Sequence, residues 1–306
     1  MDKRHFFIIS FAFFIFIFFL IFIFSPNKQT LGSVSIYEMG EVYIDNEINF
    51  STSVKNSQNF NNSLKSIYAI DKKTGIDKNL FDTNKMANAD LHINKEGNGP
   101  KILIFHTHGS ELYADSKNIN EGVIGVGEHL KSIIEDQYGI QCIHLTDRFD
   151  MVNGKLQRNG AYERAEPVVR QILKENPSIE LVIDLHRDGV NSNLRLVTNI
   201  NGKNYAKIMF FNGICKKWNN GKLVDIPDLV NPYINTNLAL SYQMFQQVYG
   251  FNQNLPRKIY INAYRYSLHM MDKSMLIELG AQTNTYEEAL NSIEVVGEAL
   301  GKVCIE

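Results

Sequence analysis

Hydrophobic residues divide the chain into three regimes. Residues 6–24, "FFIISFAFFIFIFFLIFIF", carry no charge. As a helix at 1.5 Å per residue they would span about 28 Å, close to the hydrocarbon thickness of a bilayer. Lys3, Arg4 and His5 precede this run and Lys28 follows it. The bias predicts a cytoplasmic N-terminus and an extracytoplasmic remainder. A cleaved signal peptide would have a shorter apolar core and a small-x-small site. "FSPNKQT" provides no such site, so residues 1–25 read as a cytoplasmic tip and an uncleaved transmembrane anchor. Residues 26–99 are rich in Asn, Ser, Lys and Asp. They read as a polar spacer and small interaction region, with "SVSIYEMGEVYI" and "SLKSIYAI" as short strands. "NKEGNGPK", ending at Lys101, marks a domain boundary.

From residue 100 to 306 the pattern alternates. "KILIF", "IQCIHL" and "IELVIDLH" are short continuous apolar runs, as expected of buried parallel strands. "LRLVTNI", "YAKIMFFNG" and "SMLIELG" add further strands. Val123, Val126, Leu130, Ile133 and Ile134 recur at helical spacing, as do Ala165, Val168, Val169, Ile172 and Leu173. Pro167 belongs in the first turn of that second helix or kinks it. "NTNLALSYQMFQQVYG" and "TYEEALNSIEVVGEAL" are helices too, the latter with Thr285 and Glu288 as a capping box. The prediction is an α/β domain with a mainly parallel, twisted sheet flanked by helices, preceded by one transmembrane helix and a spacer.

Composition narrows the function classes. Net charge is −2 over 306 residues, so no basic excess invites nucleic acid. Cys142, Cys215 and Cys304 are far apart and form no CxxC pair, which argues against thiolate metal sites and redox motifs.

The chemistry gathers at strand ends. In open α/β sheets, sites form beyond the carboxyl ends of the strands. The first strand here ends in "FHTHGSE", the third in "DLHRD" and the last in "IELG". His108 and Glu111 are three residues apart in a turn, where Gly109 lets the backbone bend. His186 arrives from another strand end. Two histidines and one carboxylate with a fourth position open to water form a catalytic zinc pattern, in which Zn2+ lowers the pKa of water and polarises a carbonyl. Glu278, in an apolar strand, is suited to proton transfer because desolvation raises its pKa. Glu121 is the alternative carboxylate ligand, with Glu111 preferred. His106 shares a face with His108 if the segment stays extended, as a ligand, a donor to a ligand, or a substrate contact. Asp184 shares a face with His186 and is placed to orient its ring. His144 ends the second strand and is a further candidate to line the site.

"ILIFHTHGSELY", "GAYERAEPVVRQILKENPSIELVIDLHRDGV" and "MLIELGAQTNTYEEAL" resemble the stage II sporulation protein P family, from about residue 88 to the C-terminus. Where that family carries Thr-Thr before the glutamate, this chain has Gly109-Ser110. The family is similar in turn to zinc amidases whose first strand ends in a G-H-G-G turn, with which "ILIFHTHGS" lines up through His108. The His-x-x-Glu spacing and the late glutamate also resemble zinc carboxypeptidases. The resemblance implies a peptidoglycan hydrolase with N-acetylmuramoyl-L-alanine amidase and endopeptidase activities. It implies work at the septal or engulfing membrane during forespore engulfment, beside stage II sporulation proteins D and M. On this reading Zn2+ sits on His108, Glu111 and His186. Glu278 activates the water that attacks the amide between muramic acid and L-alanine. Arg187 and Arg265 hold stem-peptide carboxylates or the developing oxyanion.

Overall fold

The computed structural model describes residues 64–77, 79–220 and 222–306. The expected anchor, residues 6–24, lies outside the described residues. Among those that are described, no helix is long and apolar enough to cross a membrane.

The core is a seven-stranded sheet made of β1 (Tyr68–Ile70), β2 (Ile102–Phe105), β3 (Cys142–His144), β4 (Leu181–Asp188), β5 (Ile208–Gly213), β6 (Ile259–Asn262) and β7 (Lys273–Ala281). Their spatial order is β1-β6-β5-β7-β4-β2-β3. Every neighbouring pair is parallel except β5 with β7. The expected α/β architecture with a mainly parallel sheet is therefore observed, with one reversal. That reversal puts the carboxyl ends of β2, β4 and β7 on one edge, beside the amino end of β5.

Two local expectations change. "LRLVTNI" and the start of "YAKIMFFNG" are not strands of this sheet. Val197–Ile200 and Lys203–Ala206 form their own antiparallel hairpin. The cause is Asn201-Gly202, both at positive φ (51° and 84°), the backbone that a two-residue hairpin turn demands. The spacer also ends earlier than residue 99. Leu64, Ile67, Tyr68, Phe81, Met86, Leu91 and Ile93 are buried in the main core. β1 pairs with β6, and the Ile93 amide donates to the Cys304 carbonyl at 2.8 Å. Each such aliphatic or aromatic side chain adds about 1.5–3 kcal/mol by leaving water, so residues 64–99 are part of this fold.

Four long helices cover the sheet unevenly. α1 (Val123–Tyr138), α3 (Ile234–Phe251) and α4 (Tyr286–Leu300) contribute to one large apolar cluster. α2 (Ala161–Glu175) packs through Ala161, Ala165 and Val169 into a smaller cluster with Leu103, Phe105 and Val182. Pro167 lies in the second turn of α2, past the first-turn position expected. The Thr285–Glu288 capping box is formed at the start of α4.

Strand alternation sorts the residues by face. In β4, Leu181, Ile183 and Leu185 join the large cluster; Val182, Asp184 and His186 face the other way. In β7, Met275, Ile277 and Leu279 join the large cluster, so Glu278 points to the face of His186. The two residues are direct register partners. On that face α2 packs over Leu103, Phe105 and Val182.

Candidate metal centre

β2 stops at Phe105 and the chain turns at once. The turn is closed by the Glu111 amide, which donates to the His108 carbonyl at 3.1 Å. Gly109 is needed for close approach: a Cβ there would lie 2.9 Å from the Asp147 carbonyl oxygen. Ser110 donates from Oγ to the buried Asp150 at 2.9 Å, anchoring the turn from below.

The turn aims two side chains at His186. His108 Nδ1 is 3.7 Å from Glu111 Oε1, and His186 Nδ1 is 3.6 Å from Glu111 Oε2. One ligand atom from each of the three residues lies within 4.8 Å of the others, so together they could hold a metal ion. Both separations are too long for hydrogen bonds. They are near the roughly 3.4 Å edge of a tetrahedron with metal–ligand bonds of about 2.0–2.2 Å. The donor set of two imidazoles and a carboxylate suits Zn2+.

The surroundings favour a cation. Glu111 is 2% exposed and also accepts from the Arg187 amide at 3.0 Å. Burial alone would raise its pKa, but facing His186 and the Arg187 amide and charge outweigh that and hold it below the usual value. Asp184 is likewise opposed by burial, yet His186 and two donors from Thr107 bring it down to about 2. For His186, burial disfavours the charged ring, while Asp184 and Glu111 push its pKa well above the ordinary value. His108 is lowered to about 4 by burial and by the charge of His186, leaving it neutral, as a metal ligand must be. Two buried carboxylates therefore enclose one imidazole, and a dication answers that charge as well as a proton does.

Asp184 sits behind His186, as expected. His186 Nε2 lies 2.7 Å from Asp184 Oδ1, close but off the line of a hydrogen bond, so this nitrogen has no aligned acceptor. Asp184 is fixed by Thr107 Oγ1 and Ser267 Oγ, each at 2.7 Å. Such a carboxylate sets the tautomer and aim of the ring. Asp184→Asn is expected to weaken Zn2+ binding by about 10–100-fold in a competition titration against a chromophoric chelator. Unchanged affinity would mean that Asp184 supports the fold alone.

Glu278 Oε2 is buried with no hydrogen-bond partner. Burial first, then the charges of Glu111 and Asp188, raise its pKa from 4.5 to about 8, against the pull of His186. The unfolded chain releases this proton near 4.5 and the metal-free folded chain near 8. Between those values the folded state holds the extra proton, so stability falls as pH rises and levels off above about 8. With chelator present, Glu278→Gln should therefore gain in melting temperature over the parent as pH is raised from 5 to 8. Parallel melting curves across that range would contradict the assignment.

Other sequence candidates lie elsewhere. His106 does not share a face with His108, because the strand ends before it. It is fully buried, with Nδ1 2.7 Å from the Leu185 carbonyl and Nε2 2.9 Å from His144 Nε2. His144 continues to Glu128 through Nδ1 at 2.7 Å, so both histidines form a chain leading away from the ligands. Glu121 accepts from the Lys117 amide at 2.8 Å and from Asn118 Nδ2 at 3.3 Å; it is not brought to His108, Glu111 and His186. Arg187 braces the ligand turn, with Nε donating to the Leu112 carbonyl at 2.9 Å. Arg265 pairs with Glu166 at 3.0 Å. Arg187 Nη1 also donates to the Asp188 carbonyl at 3.2 Å.

Sequence reasoning missed two neighbours. Arg158 reaches Glu111 Oε1 at 3.2 Å. The Tyr162 ring lies 5.6 Å from that of His108 and 6.5 Å from that of His186. Neither belongs to a motif. The signal available was their position, just before and at the start of α2.

Stage II sporulation protein P of Bacillus subtilis (strain 168) is 23% identical over 241 residues, covering 71% of this chain and 54% of that protein. The chain thus spans about half the length of this relative. Similar solved structures include N-acetylmuramoyl-L-alanine amidase AmiC2 of Nostoc punctiforme, at 15% identity and TM-score 0.39, covering 67% of this chain and 98% of that one. They also include the catalytic domain of CwlV, an N-acetylmuramoyl-L-alanine amidase from Bacillus (Paenibacillus) polymyxa var. colistinus, at 8% identity and TM-score 0.41, covering 67% and 97%. The family model described as "Stage II sporulation protein P (SpoIIP)" matches residues 27–301. This chain belongs to the stage II sporulation protein P family.

Proposed function

We propose that the protein is a zinc-dependent peptidoglycan hydrolase of sporulation that cleaves the amide between muramic acid and L-alanine, with stem-peptide cross-links as a second substrate. The observation that carries this reading is the convergence of His108, Glu111 and His186 beside Glu278, all from one edge of the sheet. His108, Glu111 and His186 would hold the metal. A bound Zn2+ would supply Lewis acidity toward water and the amide carbonyl, and positive charge that favours ionised Glu278.

The chain's own groups do the rest. Glu278 has a buried oxygen without a partner, so a proton from the attacking water can pass to Oε2 and on to the leaving amine nitrogen. Asp184, itself held by Thr107, places its carboxylate 2.7 Å from His186 Nε2. The Arg187 amide donates to Glu111 Oε2, while Oε1 faces His108 and Arg158.

Residues 6–24 are proposed as the membrane anchor, with the domain outside the cytoplasm at the septal or engulfing membrane. Stage II sporulation proteins D and M are proposed as partners. These points rest on the apolar run and on family membership.

The test is mass spectrometry of purified wall treated with the full-length protein, with and without chelator. Freed stem peptides, lost on chelation and restored by Zn2+, are expected. Cut cross-links alone would make it an endopeptidase, and an unchanged wall would make it a binding protein.

A further inference from the structure

Tyr162 is held firmly, yet its hydroxyl is unused. It lies at the second residue of α2, on the edge where the ligands gather. Its ring meets His108 edge-on at 5.6 Å, lies nearly parallel to His186 at 6.5 Å, and meets Tyr266 edge-on at 5.5 Å. Three rings thus fix the phenol. No described residue hydrogen-bonds its oxygen, although Asp184, Glu278 and Glu111 are all close enough for their charges, after burial itself, to raise its pKa.

The packing behind it is costly. Tyr266 has φ of 53°, a conformation rarely adopted by bulky side chains and one that concentrates at functional sites. Its ring is clamped on Phe211 at 4.6 Å. Gly213 makes this possible, since a Cβ there would lie 2.1 Å from the Tyr264 carbonyl oxygen and 2.8 Å from Tyr266 Cδ2. The same loop is tied to the site by Ser267, which donates to Asp184. A strained backbone and an obligatory glycine therefore support one aromatic wall, and Tyr162 packs between that wall and the two histidines.

We propose that the Tyr162 hydroxyl is a catalytic hydrogen-bond donor to the scissile amide carbonyl, strengthening as that oxygen gains charge. No proton is transferred from it. The proposal rests on the hydrolase reading above. A donor fixed in advance helps most in the transition state, because it need not reorganise when the charge develops.

Tyr162→Phe keeps the ring contacts and removes only the O–H. With the full-length protein loaded with Zn2+ and soluble muropeptides as substrate, kcat is expected to fall by about 10²-fold. KM should stay within about twofold, because the interaction is made in the transition state. Metal content and melting temperature should match the parent. Tyr162→Ala, which also deletes the ring, should lose melting temperature as well. Equal kcat in parent and Tyr162→Phe would overturn the proposal, as would a change confined to KM or to metal content. A parent that cleaves muropeptides beside an equally active Phe variant defeats this inference alone. A parent that cleaves nothing defeats the hydrolase reading and this inference with it.

Discussion

Exchange of Glu278 for glutamine is expected to reduce stem-peptide release by about 10²–10⁴-fold while Zn2+ content stays equal to that of the parent. Glutamine keeps the shape of the side chain and cannot accept a proton. The carboxylate is not one of the three converging ligands, and one of its oxygens makes no hydrogen bond, so little structure depends on its charge. The metal-free fold should even gain from the change at neutral pH, where burial holds the acid protonated until about pH 8. Activity and stability are thus expected to move in opposite directions. Steady-state rates on muropeptides, with metal content measured on the same samples, decide it. Full activity in Glu278→Gln would remove the residue from the mechanism.

Removing one of the three candidate ligands is expected to abolish both metal retention and activity, but which one is removed matters for the fold. His186→Ala leaves Asp184 and Glu111 buried without the imidazole between them. Loss of one partner from such a buried charged cluster costs about 3–5 kcal/mol, so this variant risks unfolding. His108 is a better probe. Its side chain is 18% exposed, and its contacts are Glu111 at 3.7 Å and the rings of Tyr162 and His186. His108→Ala is therefore expected to fold, to show a melting temperature close to that of the metal-free parent, and to return no stoichiometric Zn2+ after dialysis. Retention of a full equivalent by that variant would place the metal elsewhere.

The two variants rest on different kinds of information. His108 and Glu111 are three residues apart, so their convergence is a local property of one turn and can be read from "HTHGSE". His186 and Asp184 share a face through strand alternation, again a local rule. Glu278 was legible as a glutamate in an apolar strand, but its place opposite His186 depends on β7 lying next to β4 in one register.

His106 marks the limit of local reasoning. As an imidazole two residues from His108 it looked equivalent. The strand ends at Phe105, however, and His106 turns inward to Leu185 and His144. Gly127 makes room for that pair: a Cβ there would sit 2.7 Å from His106 Nε2 and 2.8 Å from His144 Nε2. A glycine on α1 thus helps decide the fate of a histidine twenty-one residues earlier, and no periodicity reports that. The surroundings of Arg265 are equally out of reach of local reasoning. Its partner Glu166 lies on α2, and only packing brings them within 3.0 Å.

Taken by itself, the sequence determined the alternation of strands and helices, the chemical types of the candidate ligand set and the face on which each strand carries it. These follow from backbone periodicity and steric rules acting within a few residues. The tertiary structure alone decided the strand order, the reversal of β5, the inclusion of residues 64–99 in the core, and the placing of Tyr162 over the two histidines. These depend on how apolar surface from distant segments is buried together, a sum over many weak contacts that no single segment encodes.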